Sequence, residues 1–154
     1  MNKTEFLKTL KAERARLEEE LAVLSEARLI ERPAPDAWSI KDNLAHLTFW
    51  EQYMLNNIRR AVNEAAAPEW MTDEEETLTN ARVFTDNRDR PLADVLADMR
   101  RSLADVIAQV ESLSEAYLTD PNRFAWREGV PLWTYIADEA YGEHYHEHLG
   151  QRLA

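Results

Sequence analysis

The sequence predicts an all-α protein, a four-helix bundle with long crossover connections. Three observations favour this fold. The chain has 154 residues, of which 45% are hydrophobic, and only three are Gly and six are Pro. Four stretches repeat apolar residues at helical spacing. Because this length fits one domain with one core, we expect a single bundle domain over residues 1–154.

The first two predicted helices are separated by a proline-containing linker. The first spans Thr4–Leu24, with apolar residues at helical spacing and charged residues elsewhere. The segment Arg32–Pro35 ends it, because proline cannot continue a helix. Ser39 is a good N-cap, and Asp42 three residues later resembles a capping box. The second helix is therefore predicted over Ile40–Ala66.

The rest of the chain alternates connections with helices. A polar connection over Pro68–Arg90 contains the acidic run Asp73–Glu76, interpreted as solvated surface, and either holds a short helix or packs loosely. The third helix is predicted over Pro91–Leu113, since proline suits a first turn. After a second connection, the fourth is predicted over Leu132–Arg152. Connections of this length favour a bundle with at least one crossover.

The composition and charge of the chain exclude several classes of function and of site. Lys and Arg total 18 against 29 Asp and Glu, a formal net charge of −11, so we expect no nucleic-acid partner and no anionic membrane surface. There is no Cys, which excludes disulfides, thiolate metal sites and Cys nucleophiles. The charged N-terminus lacks the apolar stretch of a signal peptide, so a cytoplasmic protein is expected.

Three of the four histidines form a candidate metal site. Ile136, Ala140, His144 and His148 step by four residues, so both histidines share an inward-facing stripe of the fourth helix. His46 lies on the apolar part of the second helix, and bundles build metal sites from side chains on facing helices. Three neutral imidazoles leave coordination positions open, as in catalytic rather than structural sites.

Each of these residues also has a plainer interpretation. His46 alone could be a hydrogen-bonded core histidine. The segment Glu143–His148 could be a solvated helix end, where histidines interact favourably with the helix dipole. His146 points away from its two neighbours and is predicted to be exposed. The aromatic residues are interpreted as core and rim packing: Trp50, Tyr53, Trp126, Trp133, Tyr135 and Tyr141.

Two segments of the chain resemble a known family. Ala37–Leu47, followed by Trp50 and Glu51, resembles the second-helix motif of the DinB-like superfamily, and more narrowly of its ClbS/DfsB branch. The segments Asn87–Leu92 and Glu143–His148 are similar to the same branch. In this superfamily the corresponding histidines face one another in a four-helix bundle and bind a divalent metal. The resemblance thus implies that His46, His144 and His148 are metal ligands, with nickel, zinc and iron all suitable.

The resemblance also implies two classes of function. One is a metal-dependent hydrolase or small-thiol S-transferase that acts on a small molecule in stress or detoxification, with the low-molecular-weight thiol supplied from outside. By position, Glu143, Glu147 and Tyr141 are candidates to handle protons. The alternative is a non-catalytic ligand-binding or stress-response bundle whose metal site is structural or vestigial. The family resemblance and the apolar surface of Trp133 and Tyr135 predict a homodimer.

Overall fold

The computed structural model describes residues 1–150, 152 and 153 of the chain. Within these residues the protein is all-α, which confirms the predicted fold class. The helices are α1 (Lys3–Ala22), α2 (Glu26–Ile30), α3 (Ile40–Asn63), α4 (Asp73–Asn87), α5 (Leu92–Ser112), α6 (Glu115–Thr119), α7 (Leu132–Ala140) and α8 (Glu143–Leu149), with a short 3₁₀ turn at Ala125–Arg127. In the described part of the chain, no helix is both long and apolar enough to cross a membrane.

The core is organised around α3, which packs against α2, α4, α5, α7 and α8. Its apolar residues contribute to two buried clusters. One lies toward the C-terminal half of α3 and includes Phe6, Leu10, Met54, Ile58, Val106 and Ile136. The other lies toward its N-terminal half and includes Leu17, Leu44, Leu47, Val95, Met99 and Tyr145. The four predicted helices correspond to α1, α3, α5 and the α7–α8 pair.

The start of α3 is fixed by the predicted capping box. The Asp42 amide donates to Ser39 Oγ at 3.0 Å, and the Ser39 amide donates back to Asp42 Oδ2 at 2.9 Å. Arg32 adds two hydrogen bonds to the same carboxylate, at 2.9 and 3.1 Å. Burial acts to raise the pKa of Asp42, but the bonds from Arg32 and Ser39 outweigh it and hold that pKa below its usual value. The helix that carries His46 thus begins at a well-defined point.

The connection between the second and third predicted helices contains a helix of its own. Within Pro68–Arg90, α4 spans 15 residues, and Thr72 and Glu75 form its capping box. The acidic run Asp73–Glu76 forms its first turn, where negative charge interacts favourably with the helix dipole. Val83 is its buried residue, so α4 covers α3 without entering the core deeply. The connection is therefore an ordered wall beside α3.

The prediction of one unbroken helix from Leu132 to Arg152 is wrong. The helix ends at Ala140, and α8 begins at Glu143. The amides of Tyr141 and Gly142 both donate to the carbonyl of Ala137, at 3.0 and 2.7 Å, which ends the regular ladder. A Cβ atom at position 142 would lie 2.9 Å from that carbonyl oxygen, so glycine is needed there. α8 ends at Leu149, and Gln151 lies outside the described residues.

A buried ion pair joins four helices next to this break. Arg14 of α1 and Glu51 of α3 are 2% and 0% exposed, with Nη1 and Oε2 2.6 Å apart. The other Glu51 oxygen accepts from Ser102 of α5 at 2.5 Å. Arg14 also donates to the carbonyls of Met99 and Ala140, at 3.1 and 3.3 Å. The pair therefore holds the last residue of α7 against α1, α3 and α5.

Candidate metal centre

The three predicted ligands come together between α3 and α8. A nitrogen from each of His46, His144 and His148 lies within 4.8 Å of the other two. His46 Nε2 and His144 Nε2 are 3.3 Å apart. The ring of His46 lies 4.3 Å from that of His148 and 5.3 Å from that of His144, between centroids. His146 is exposed and outside this cluster, as predicted.

Hydrogen bonds fix the tautomers of the two α8 histidines. Asn43 Nδ2 donates to the Ser39 carbonyl at 2.9 Å, so its Oδ1 is the acceptor that faces His148 Nδ1, at 3.0 Å. His144 Nδ1 lies 3.0 Å from Glu139 Oε2, which also accepts. Both histidines therefore carry their proton on Nδ1 and leave an Nε2 lone pair free, as metal-binding histidines usually do.

Burial favours the neutral form of two of the cluster histidines, His46 and His148. Burial first, and then the neighbouring His148 and His144, together lower the pKa of His46 to about 3. Burial, followed by His144, also lowers the pKa of His148. A neutral imidazole has the lone pair that a metal requires, and protons compete with the metal for it only at low pH.

The geometry and donors fit a divalent ion. Two imidazole nitrogens that are each about 2.0–2.1 Å from one tetrahedral ion are about 3.3–3.4 Å apart. The Nε2 atoms of His46 and His144 have this separation, 3.3 Å. His46 Nδ1 is buried without a hydrogen-bond partner. His46 Nε2 can donate to His144 Nε2 or share an ion with it, and Nδ1 stays without a partner in either case. The fit to an ion therefore rests on the separation of the Nε2 atoms and on the imidazole donors.

The cluster lies at a cavity of about 550 Å³, within the range of small-molecule sites. Its walls come from α3, α4, α7, α8 and the segments before α3 and α4. Apart from the histidines, they are mainly aromatic and acidic: Trp38, Trp50, Tyr53, Trp70 and Tyr135, with Glu76, Asp138, Glu139, Glu143 and Glu147. Hydrogen bonds fix some of these residues, since Trp50 Nε1 donates to Asn80 of α4 at 2.8 Å. The predicted packing aromatics Trp50, Tyr53 and Tyr135 thus also form cavity wall.

The candidates for proton transfer separate into two groups. Glu143 and Glu147 are exposed and line the histidine cavity. Tyr141 instead lines a different groove, beside Glu13 and Arg14 of α1. It is therefore misplaced for proton transfer at the histidine cluster, because the break at Gly142 separates it from the face of α8 that carries the histidines.

Two residues at the site were not predicted from the sequence. Asn43 lies inside the segment that resembles the DinB-like motif, three residues before His46, so the motif itself was the available signal. Glu139 lies five residues before His144, a spacing that does not bring side chains together on a continuous helix. It reaches His144 only because the chain breaks between α7 and α8.

Comparison with known proteins agrees with the resemblance seen in the sequence. No curated protein matches the chain. No solved structure matches it. A sequence model of the DinB superfamily matches residues 9–152, a range that contains α2 to α8, most of α1 and all three clustered histidines. Because this match covers nearly the whole chain, the protein belongs to the DinB superfamily.

Proposed function

We propose that the protein is a metal-dependent enzyme that holds a divalent ion on His46, His144 and His148. One distance carries this proposal: the Nε2 atoms of His46 and His144 are 3.3 Å apart. His46 is buried, and His144 is held by Glu139. The DinB-like superfamily binds metals, which supports it. Zinc, nickel and iron all suit three imidazoles, and three protein ligands leave positions open for water or substrate.

The proposed reaction is hydrolysis of a small molecule or transfer of a small external thiol to it. A bound ion would lower the pKa of a coordinated water or of that thiol and so make it a better nucleophile. The chain has no Cys, so a thiol substrate would have to enter the cavity from solvent. Glu143 and Glu147 line the cavity and are exposed, so they can pass protons between substrate and solvent. The hydrolase form and a role in detoxification are what the sequence resemblance to the ClbS/DfsB branch implies for some of its members.

Metal titration by calorimetry on the untagged protein tests the ligand set. Replacing His46, His144 or His148 with Ala should each weaken Zn²⁺ or Ni²⁺ binding more than about 100-fold, because losing a ligand should exceed the 10–100-fold cost of losing an outer partner. His146→Ala is the matched control on the same helix and should change the affinity little. Equal losses at His146 and His144, or full affinity in His46→Ala, would place the ion at the end of α8 instead.

Turnover tests the catalytic part of the proposal separately. The metal-loaded protein should conjugate small thiols to electrophiles or hydrolyse activated esters and amides, and chelation should abolish this activity. One bound ion per chain with no activity in either assay would favour a non-catalytic ligand-binding protein.

A further inference from the structure

The walls of the histidine cavity carry charge of one sign only. Five carboxylates line it, from α4, α7 and α8: Glu76, Asp138, Glu139, Glu143 and Glu147. None of the described residues that line it is Lys or Arg. Burial raises the pKa of Asp138, and the negative charges of the neighbouring Glu139 and Glu143 raise it further, as expected for carboxylates placed close together. The cavity therefore favours a positively charged occupant.

The same walls expose aromatic rings that can face a cation. The ring centroids of Trp50 and Tyr53, both on α3, are 5.1 Å apart. Trp70, in the segment before α4, has its ring centroid 6.0 Å from that of Tyr135 on α7. Trp70 is 54% exposed, which is unusual for so large an apolar side chain. Aromatic faces attract ammonium and guanidinium groups, and quaternary ammonium ligands are typically held by several aromatic rings. Aromatic walls thus favour the same class of ligand as the carboxylates.

The cavity has a ligand-binding feature that is independent of its charge. His46 lines it, is only 5% exposed, and keeps a buried Nδ1 without a hydrogen-bond partner. Arg127 lies 5.4 Å from the ring centroid of Tyr135 and is not part of the described cavity lining. Even a divalent ion on the histidines would leave the five carboxylates with an excess of negative charge.

We propose that the substrate of this cavity is a cation, with an ammonium or guanidinium group held between the aromatic walls and the carboxylates. This inference rests on the proposed function for the reaction itself, but not for the binding. It narrows the substrate class, because anionic small thiols and carboxylated electrophiles would be repelled. Where the substrate bears a carboxylate, it must also bear at least one compensating positive group.

A pair of isosteric probes tests the proposal. Choline and 3,3-dimethylbutan-1-ol differ in charge but have almost the same shape, and 3,3-dimethylbutanoate provides an anion of similar size. Binding is measured by calorimetry and by the fluorescence of the cavity tryptophans. Choline should bind at least about fivefold more tightly than the neutral alcohol, and added NaCl should reduce this difference. The anion should not bind measurably to the metal-free protein, where no ion can coordinate its carboxylate.

Matched variants separate the cavity from the general acidity of the chain. The double variant Glu76→Gln/Asp138→Asn removes two wall carboxylates that are not adjacent to the histidines. Glu74→Gln/Glu19→Gln removes the same charge from exposed positions outside the cavity, one of them in the same first turn of α4. Only the first variant should lose the preference for choline. Trp70→Leu, at an exposed position, should also reduce it.

Failure of this inference can be told apart from failure of the proposed function. The probes are titrated into the metal-free and the metal-loaded protein, and metal affinity is measured on every variant. Normal metal binding without a preference for choline, or equal losses in both double variants, would overturn the cationic substrate and leave the metal site intact. A preserved preference in a protein that binds no metal would overturn the metal site alone.

Discussion

Two buried polar clusters lie on α3, and they differ in how their polar atoms are satisfied. Around Glu51, both carboxylate oxygens accept hydrogen bonds, from Arg14 and Ser102. Around His46, five residues earlier in the chain, the ring nitrogen Nδ1 has no partner among the described residues. Among the described residues, the Nε2 atoms of His144 and His148 have no hydrogen-bond partner outside the histidine cluster, because Glu139 and Asn43 bind only their Nδ1 atoms.

This difference indicates which cluster is structural and which is a site. Buried polar groups in proteins are nearly always hydrogen-bonded. Imidazole nitrogens that lie close together without partners from the rest of the chain therefore point to an ion or ligand between them. The cluster around Glu51 needs nothing beyond the chain. The cluster around His46 presents three nitrogen donors toward one another and lies at a cavity. Substitutions in the first should therefore lower stability, and substitutions around the second should lower ligand affinity.

The largest expected effect is on stability, from Glu51→Gln. The variant keeps the shape of the side chain but leaves Arg14 charged and without its partner in the core, which costs about 3–5 kcal/mol for buried pairs. The free energy of unfolding in urea measures this loss. Metal affinity of the folded fraction should change far less.

The exposed pair between Glu18 and Arg100 provides the control for this prediction. Its two hydrogen bonds, at 2.9 and 3.0 Å, have good geometry, but both side chains are substantially exposed. Glu18→Gln should cost less than about 1 kcal/mol. Similar costs for Glu18→Gln and Glu51→Gln would mean that Glu51 is not a structural centre of the bundle.

A smaller effect, this time on affinity, is expected from Glu139→Ala. The change frees His144 Nδ1, so the ring can rotate or shift its proton to Nε2. Outer partners of this kind are worth about 10–100-fold in metal affinity. Calorimetric titration with Zn²⁺ measures the loss. Asp138→Ala removes the neighbouring carboxylate and serves as the control. Equal losses in both variants would show that Glu139 acts only through its charge.

The most gradual effect concerns the pH dependence of the metal-free protein. The pKa of His46 is about 3 in the folded state, below the usual value of about 6.5 expected for the unfolded chain. The unfolded state therefore binds more protons between these values, and the contribution of His46 to stability is full above about pH 6.5 and is lost as pH falls toward 3. This loss is about 1.4 kcal/mol per pH unit.

A comparison of slopes isolates this contribution from other titrating groups. Urea unfolding of wild type and His46→Leu is measured in chelator between pH 7 and about pH 4. Wild type should lose stability more steeply on acidification, by about 1.4 kcal/mol per unit at most. Parallel curves would mean that His46 titrates normally and is not enclosed as the structure describes.

Sequence patterns predicted the local features of this protein better than its long-range ones. The helical periods and the capping box at Ser39 gave the all-α class and the start of α3, because both depend on neighbours in the chain. The three histidines were found since two lie one helical turn apart and the third lies in a recognisable segment. The sequence also contains the Thr72–Glu75 capping box, but the acidic run Asp73–Glu76 is interpreted as solvated surface, so α4 is not predicted as a definite helix.

The missed features depend on contacts between distant segments. Arg14 and Glu51 are 37 positions apart, and each looks like an ordinary charged surface residue on its own helix. No periodicity shows that they pair in the core. The break between α7 and α8 was missed for a different reason, because a single glycine in an apolar helical pattern is often tolerated.

That glycine limits which amino acids position 142 can accept. Because Gly142 has no side chain, the chain can turn there between α7, which carries Glu139, and α8, which carries His144 and His148. Even alanine would bring a carbon atom to 2.9 Å from the backbone of Ala137 and Asp138. In a saturation mutagenesis screen for function, position 142 should therefore tolerate as few replacements as the histidines themselves.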